Sequence, residues 1–584
     1  MNFASDLYQK RTSKRTRILA LVLALWVFGI FFRLIDLQVF RHARLRGQVL
    51  KQNQDITKIL PTRGTIYDRN GKILARSIPV PSVFFSPPAE EPAELEMQTI
   101  RKVEKILGLG AKDLDRIKAR LQKKSSFTWI KRKTEAPSAE QIKALGLNGI
   151  GSLDEPKRFY PQGTLAAHVL GGVDIDDKGL SGIELAYDEI LRGKEGESLI
   201  LRDVKRRGYY SEVLKAPENG KDITLTIDET IQYISEKELE KAVVENKAHW
   251  GTVIISQPAT GEILAMASVP TFNPNAYPPP SPQDDINRAI RYNFEPGSTF
   301  KIVTASAALE NRRVRLSDLF DCSEGLIDVA GSPIRDHQKF GLLTFPEVVI
   351  HSSNVGMIQV GQRIGQDALW RTVQAFGFGR KTGIDLPAEE SGILPNWGKR
   401  TLPALSIGYE ISVTALQILQ AMNIIANRGA LVPPRIVRAV QGSPLNPSRN
   451  TGAAAPAISE KTAEQLIQIL ERVVVEGTGQ SAWTSGYAIA GKTGTTQKYD
   501  PELKAYSSAK HIASFVGFAP IEKPMISMIV VLDEPQKAQH YGGQVAAPVF
   551  RDIAGRVLRY THVWPQKNLE KAVVAAKLWR DGQR

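Results

Sequence analysis

One cysteine, Cys322, stands among 584 residues, so no intramolecular disulfide can staple the chain, and its redox compartment cannot be read from sulfur. Cys322 lies in the turn-like run Asp321-Cys322-Ser323-Glu324-Gly325 and reads as a bystander. Histidine is scarce too. Eight are scattered along the chain, without a His-Glu-x-x-His pair or zinc-finger spacing, so neither a metal centre nor a cofactor is expected. A Gly-x-Ser-x-Gly nucleophile elbow, an internal repeat and a Gly- and aromatic-rich RNA-binding signature are all missing. The formal charge of +15 favours polyanions or an anionic membrane surface, but without a nucleic-acid motif no nucleic-acid partner is expected.

What is present begins with a membrane signal. Residues 18–32 (ILALVLALWVFGIFF) form an unbroken apolar run of fifteen, and the pattern continues through Phe40 around Arg33 and Asp36. As a helix, 18–40 spans about 34 Å, enough for a hydrocarbon core. A small-x-small cleavage site does not follow, so the run is expected to be an uncleaved anchor and not a signal peptide. Lys10, Arg11, Lys14, Arg15 and Arg17 precede it against Asp6 alone, which predicts a cytoplasmic tail over 1–17 and everything after Phe40 outside. Arg33 and Asp36, three apart on one face, are expected to pair or to meet another membrane protein.

A chain this long is expected to form two or three domains. The spacing predicts helices within 90–124 and over 137–147, with a strand at SFTWIKRK between them. Two Gly-rich charged stretches, 63–71 and 158–184, read as tight turns fixed by charge. A second unit begins near Asp222. It offers a strand at 223–227, a helix at 229–245, and a hairpin of 252–256 with 262–267 around Pro258-Ala259-Thr260-Gly261. A helical middle follows, then strands at 512–519 and 526–532 and a closing helix at 546–560. Loops are expected at 277–282 (YPPPSP) and 442–457. Strands, helices, then strands indicate a sheet flanked by helices, α+β or α/β.

Chemistry concentrates in three short elements. In Glu295-Pro296-Gly297-Ser298-Thr299-Phe300-Lys301, a Pro-Gly break opens an apolar helical run. Ser298 then sits in a first helical turn with Lys301 on the same face. A serine hydroxyl needs a nearby base, and a lysine in a dry cleft beside other cations can shed its proton and act as one. Ser352-Ser353-Asn354 follows Ser298 by 54 residues, and Lys492-Thr493-Gly494-Thr495 follows Ser352 by 140. This ordered set is that of penicillin-binding proteins and class A β-lactamases. In it Ser352 can relay a proton, and Asn354 can donate and accept a hydrogen bond, which suits a substrate amide. Lys492 and Thr493 hold a substrate carboxylate. Gly494 is expected to leave room for substrate along the strand. The N–H groups of Ser298 and Thr495 are expected to form the oxyanion hole, where one donor is worth about 3 kcal/mol of barrier.

Decoys occur. Ser507-Ser508-Ala509-Lys510 repeats the first spacing, Ser448-Arg449-Asn450 the second and Lys381-Thr382-Gly383 the third. Lys492 is preferred over Lys381 because it closes the strand-like stretch Tyr487-Ala488-Ile489-Ala490, whereas Lys381 lies in a Gly-rich turn. Gly486 to Thr493 also satisfies the Walker A pattern. A P-loop needs a helix after Lys-Thr, and Gly494-Thr495-Thr496-Gln497 has no helical character. His351 reads as a loop residue and not as a base.

From Leu37 to about Tyr560 the chain resembles the division-specific class B penicillin-binding proteins, the septal peptidoglycan D,D-transpeptidases. The resemblance is carried by RGTIYDRNGKILA, RFYPQGTLAAHVLGGV and GLSGIELAYD in the first unit. In the second it is carried by ATGEILAMASVPTFNPN, EPGSTFK, HSSNVGM, VVVEGTGQSA and AGKTGTTQ. Two departures stand out: Ser256-Gln257-Pro258 lacks an acidic residue often found before this Pro, and Glu410 replaces a common Gly in Ser406-Ile407-Gly408-Tyr409-Glu410. The resemblance implies an α+β penicillin-recognising fold, a five-stranded antiparallel sheet flanked by helices. This domain (221–563) would stand on an elongated α+β pedestal (41–220), behind one transmembrane helix (18–40) and before a C-terminal tail (564–584). It implies acyl transfer from D-Ala–D-Ala stem peptides through Ser298, inhibition by β-lactams, and an inner-membrane location with the catalytic domain periplasmic. The implied partners are a membrane-embedded division glycosyltransferase and other divisome proteins. Hydrolysis, as in a carboxypeptidase or β-lactamase, and β-lactam sensing are the competing functions. Nothing resembling a dedicated deacylation base stands out and the large pedestal speaks against a compact β-lactamase, while a cytoplasmic stretch of only about seventeen residues speaks against a sensor.

Overall fold

In the computed structural model, residues 3–42, 44, 54–86, 93–123, 127–202, 208–276, 281–444, 456–500, 502, 504–536 and 540–565 are described. The decoy Ser448-Arg449-Asn450, most of the two expected loops and most of the tail 564–584 lie outside them.

Helix α1 (Phe3–Ile35) carries the apolar run, and a π-helical turn continues it over Asp36–Phe40. The α-helix expected through Phe40 therefore stops five residues early. The wider turn lets the N–H of Arg41 reach the carbonyl of Asp36 at 2.8 Å. Residues Lys14–Phe40 are long and apolar enough to cross a membrane. Leu19 and Trp26 are each 68% exposed. Such bare apolar surface on a helix, which satisfies its own backbone, suits lipid. Arg33 Nη1 meets Asp36 Oδ2 at 2.9 Å, and Arg41 Nε donates to Asp36 Oδ1 at 3.1 Å.

The chain divides into two compact units, each assembled from separated segments. The smaller comprises Met1–Pro61, Val80–Glu155 and Lys194–Glu218, the larger Thr62–Pro79, Pro156–Gly193 and Asn219–Arg584. In the smaller unit, Gly196–Arg202 pairs antiparallel with Gln54–Ile59 on one side and Gly208–Lys215 on the other. Helices Ala93–Leu107, Ala111–Gln122 and Ala136–Ala144 and strand Thr128–Lys131 close a separate core around Phe85, Val103, Ile117, Ile130 and Ile142.

The larger unit is organised by a five-stranded antiparallel sheet. Its strands are β1 (Trp250–Ser256), β2 (Ile263–Val269), β3 (Ala490–Asp500), β4 (Ala505–Ala519) and β5 (Ile526–Asp533), in spatial order β2-β1-β5-β4-β3. Every residue of β1 and of β5 is buried. Alternate residues enter opposite cores, which is why these strands read as continuous apolar runs and not as alternation. Val253 and Ile255 meet helices α2 (Glu229–Asn246) and α7 (Ala547–Tyr560). Ile254 faces the core shared by α3 (Lys301–Glu310), α4 (Asn354–Ile364), α5 (Ala415–Ala426) and α6 (Glu460–Val475). Asp228 starts α2 by accepting the N–H groups of Thr230 and Ile231 at 3.0 and 3.1 Å.

The charged turns at 63–71 and 158–184 converge in this unit. Glu184, fully buried, accepts Arg63 Nε on one oxygen and Arg158 Nε on the other, each at 2.6 Å. Arg63 also reaches Asp188 at 2.6 Å, and Arg158 donates to Gly64 O at 2.7 Å. The turns are thus clamped by a desolvated ion network, whose value lies in keeping every charge paired.

Candidate active site

Ser298 is placed by a 3-10 turn, Gly297–Phe300, that runs directly into α3. The turn begins with φ +53° at Gly297, where a Cβ would lie 2.2 Å from Thr496 Oγ1. The N–H of Gly297 donates to Gly408 O at 3.0 Å, and a Cβ on Gly408 would lie 2.2 Å from Gly297 O. Gly408 is therefore required by close backbone approach, and Gly297 by its left-handed φ and by the Thr496 side chain packed on it. Glu410, the departure from the family pattern, adopts φ +59°, the left-handed backbone that a glycine takes easily. Its carboxylate accepts Thr401 Oγ1 at 2.8 Å, and its N–H donates to Glu295 Oε1 at 2.8 Å.

The second element is a turn in front of α4. Ser352 has φ +59°, and Ser353 caps α4 by accepting the N–H of Gly356 at 2.9 Å. The third lies near the start of edge strand β3, paired with β4 from Ala490↔Phe518 onward. The expected strand Tyr487–Ala490 is thus displaced: Lys492 opens a strand and does not close one. The same strand removes the Walker A reading, because Lys492 and Thr493 precede no helix.

The three elements meet at Ser352. Lys301 Nζ lies 2.6 Å from Ser352 O, 2.8 Å from Asn354 Oδ1 and 3.3 Å from Ser352 Oγ. Lys492 Nζ lies 2.9 Å from Ser352 Oγ and 3.1 Å from Thr493 O. A neutral Lys301 can spend its two N–H bonds on Ser352 O and Asn354 Oδ1, which leaves its lone pair free to accept a proton. Lys492 can donate to the Ser352 hydroxyl from the other side. Both lysines are 0% exposed. Burial lowers Lys301 to about 7, with Asp336 acting against the shift, and lowers Lys492 well below its ordinary value, with Lys301 adding to the fall. The pair titrates as a unit and carries fewer than two protons near neutrality.

A cavity of about 620 Å³ opens against this cluster, lined among others by Ser298, Ser352, Asn354, Thr478, Thr493 and Thr495. Thr493 Oγ1 and Thr478 Oγ1 are 2.7 Å apart, and Thr495 Oγ1 accepts the N–H of Gly542 at 2.9 Å. Lys492 is fully buried, whereas Thr493 and Thr495 line the cavity. Gly494 also differs from expectation. A Cβ there would meet Ser514 Oγ at 2.4 Å, Thr299 Cγ2 at 2.8 Å and Pro296 O at 3.2 Å. The bare Cα lets β3 pack on the Ser298 turn, inside the protein.

The decoys stand apart. Ser507 and Lys510 lie on β4, where Ser507 Oγ accepts the N–H groups of Ala509 and Lys510 at 3.2 and 3.1 Å and Lys510 pairs with Asp500. Thr382 and Gly383 are tied into a turn by Glu389. His351 stacks on Phe340. Among the described residues one His/Asp/Glu group has metal-like spacing, His249, Asp533 and Glu534, but Lys498 already donates to both carboxylates at 3.0 and 2.6 Å. Asp336, His337 and Thr478 are additions to the site. Thr478 sits within the VVVEGTGQSA segment, Val473 to Ala482. Asp336 and His337 carry no periodic or motif signal.

The chain matches the penicillin binding protein transpeptidase domain over residues 251–555 and the penicillin-binding protein dimerisation domain over 58–225. It is 35% identical over 529 residues to stage V sporulation protein D of Bacillus subtilis, covering 87% of this chain and 80% of that protein. It is 32% identical to peptidoglycan D,D-transpeptidase FtsI of Escherichia coli, covering 87% of this chain and 85% of that one. A crystal structure of penicillin binding protein 3 from Mycobacterium tuberculosis complexed with ampicillin superposes with a TM-score of 0.66 at 28% identity. That match covers 88% of this chain and 98% of the other.

Proposed function

The chain belongs to the class B penicillin-binding proteins, peptidoglycan D,D-transpeptidases that join a dimerisation domain to a transpeptidase domain, and from that premise we propose that it cross-links stem peptides through an acyl-enzyme on Ser298 during septal wall synthesis. The observation that carries this reading is the hydroxyl of Ser352 held between two buried lysines, at the wall of a cavity that Ser298 also lines.

Ser298 Oγ attacks the carbonyl carbon between the two terminal D-alanines, and its proton passes to neutral Lys301. The oxyanion is met by the N–H groups of Ser298 and Thr495. The terminal carboxylate is held by the hydroxyls of Thr493 and Thr495, while Asn354 binds the peptide amide. An arriving carboxylate opposes the fall that burial imposes on Lys492. The C–N bond breaks as its nitrogen takes a proton through Ser352, and D-alanine leaves. An amine of a second stem peptide then attacks the ester, gives up a proton along the same relay and restores Ser298 as the new amide forms.

The domain plan follows the same reading. The plan comprises a pedestal domain over 41–220 and a transpeptidase domain over 221–563, behind an anchor at 18–40 with residues 1–17 cytoplasmic and the catalytic domain periplasmic. The basic flank before the anchor supports this orientation. A membrane-embedded glycosyltransferase of the division machinery supplies the glycan strands. β-Lactams acylate Ser298 in place of the peptide.

The test is turnover. Purified protein with a D-Ala–D-Ala-type donor and a D-amino acid acceptor should release the leaving group and form the exchanged product, and Ser298→Ala should do neither. Release with water as the sole acceptor would replace transfer by hydrolysis. Exchange surviving in Ser298→Ala would remove Ser298 from the reaction.

A further inference from the structure

Asp336 lies at the end of a small hairpin, Leu326–Val329 paired with Ser332–Arg335. Its Oδ1 accepts the backbone N–H groups of Asn354 and Val355, the latter at 3.1 Å. Its Oδ2 accepts Ser353 Oγ at 2.7 Å. Next to it, Arg335 O accepts Asn354 Nδ2 at 2.9 Å, and the N–H of Asp336 is anchored on Gly325 O at 3.0 Å. The groups that donate to Asp336 and to Arg335 O all belong to the turn that carries Ser352 or to the first residues of α4. Asn354 and Val355 are the first residues of α4, whose free N–H groups favour an anion. Ser353 is fully buried, so water cannot take over its bond.

The turn needs such a clamp. Ser352 is held at φ +59°, which a serine does not favour, and a small rotation there would carry its hydroxyl away from one lysine or the other. The site also needs a negative charge. Two lysines are buried around one hydroxyl, and Asp336 is the carboxylate that acts on Lys301. The other titratable groups facing this lysine are the Cys322 thiol, Lys492 and His337, none of them an anion at neutral pH.

We propose that Asp336 is a positioning residue for acylation: it locks the Ser352 turn from outside the cavity, so that the Ser352 hydroxyl stays between Lys301 and Lys492, and it supplies the fixed anion on which this two-lysine site is built. The proposal rests on the acyl-enzyme reading above.

The test is the second-order acylation rate by a fluorescent penicillin, followed across about pH 5 to 9, the range that exposes a base with a pKa near neutrality. In the wild type the rate rises with pH through about 7, because only neutral Lys301 accepts the Ser298 proton. Asp336→Asn keeps the shape but removes the charge. Losing a nearby anion makes Lys301 easier to deprotonate, so this rising limb moves to lower pH by roughly one unit or more. The plateau falls about tenfold or more because the turn loosens. Asp336→Glu and Ser353→Ala, which keep the charge and disturb the clamp, lower the plateau and leave the limb where it was. A residue that only supported the fold would lower the plateau of every variant without moving the limb. That outcome, or an Asp336→Asn profile equal to wild type, overturns the proposal while Ser298 labelling in the wild type keeps the acyl-enzyme reading. A wild-type adduct on another serine overturns both.

Discussion

Replacing Gly494 by alanine separates two explanations of one motif residue. The backbone itself tolerates the change, since Gly494 is not among the positive-φ glycines. The added methyl lies 2.8 Å from Thr299 Cγ2 and 2.4 Å from Ser514 Oγ, short of the 3.4 Å at which ordinary contact begins. Ser514 can rotate. Thr299 resists, because its hydroxyl donates to Pro296 O at 2.8 Å and its neighbour is Ser298. The Ser298 turn and β3 must therefore part by about 0.6 Å or more, a strain of the kind that costs ~1–3 kcal/mol in a packed interior. Misplacing a nucleophile by near an ångström costs on the order of 10²-fold in rate. Fluorescent-penicillin acylation of Gly494→Ala should fall by about that factor, with the melting temperature lowered by only a few degrees. Adding Thr299→Ser and Ser514→Ala removes the two closest obstructing groups, leaves Pro296 O at 3.2 Å and keeps the Thr299-type hydroxyl bond, so most of the rate should return. A triple variant as slow as Gly494→Ala alone would show that the bare Cα serves substrate lying along the strand, and the packing argument would be wrong.

Lys492→Ala should lower acylation by about 10²-fold or more, the scale of a lost proton-transfer group, whereas Lys381→Ala should leave it within about twofold. Equal losses would contradict the geometry around Ser352. Glu184→Ala leaves Arg63 and Arg158 buried without their shared anion and should cost ~3–5 kcal/mol in denaturant unfolding, and a loss near zero would mean the cluster relaxes into water. Exchanging residues 1–40 for an unrelated single-spanning helix of the same orientation tests the anchor. If Arg33 and Asp36 contribute to a partner contact, penicillin acylation survives and septal function falls. Full function would make the helix a tether, as the mutual pairing of Arg33, Asp36 and Arg41 allows.

Much of this architecture was legible in the sequence because the relevant forces act over short separations. Strands β1 and β5, buried on both faces, could be read as apolar runs, and the Pro-Gly break before Ser298 marked the start of its turn. The first part of β4, Ala505 to His511, escaped notice because it pairs with the far end of β3 as a largely exposed polar ribbon without an apolar face. The Ser507 decoy lies there for the same reason. The meeting of Arg63 with Glu184, 121 residues apart, is set by tertiary packing and leaves no local pattern. Asp336 was invisible for a related reason: its value comes from where a hairpin ends, not from its neighbours in sequence. Gly494 was recognised as necessary but for a different purpose, since sequence shows that a side chain is missing and not what fills its place. At Glu410, Thr401 Oγ1 donates to the side chain while the backbone keeps the left-handed conformation, a compensation visible only in three dimensions.

The most direct measurement is peptide-level mass spectrometry of the full-length protein after exposure to penicillin. A single covalent adduct on Ser298, absent from Ser298→Ala under the same exposure, is the predicted result. An adduct on Ser352, Ser507 or any other residue, or undiminished labelling of Ser298→Ala, would contradict the account at its centre.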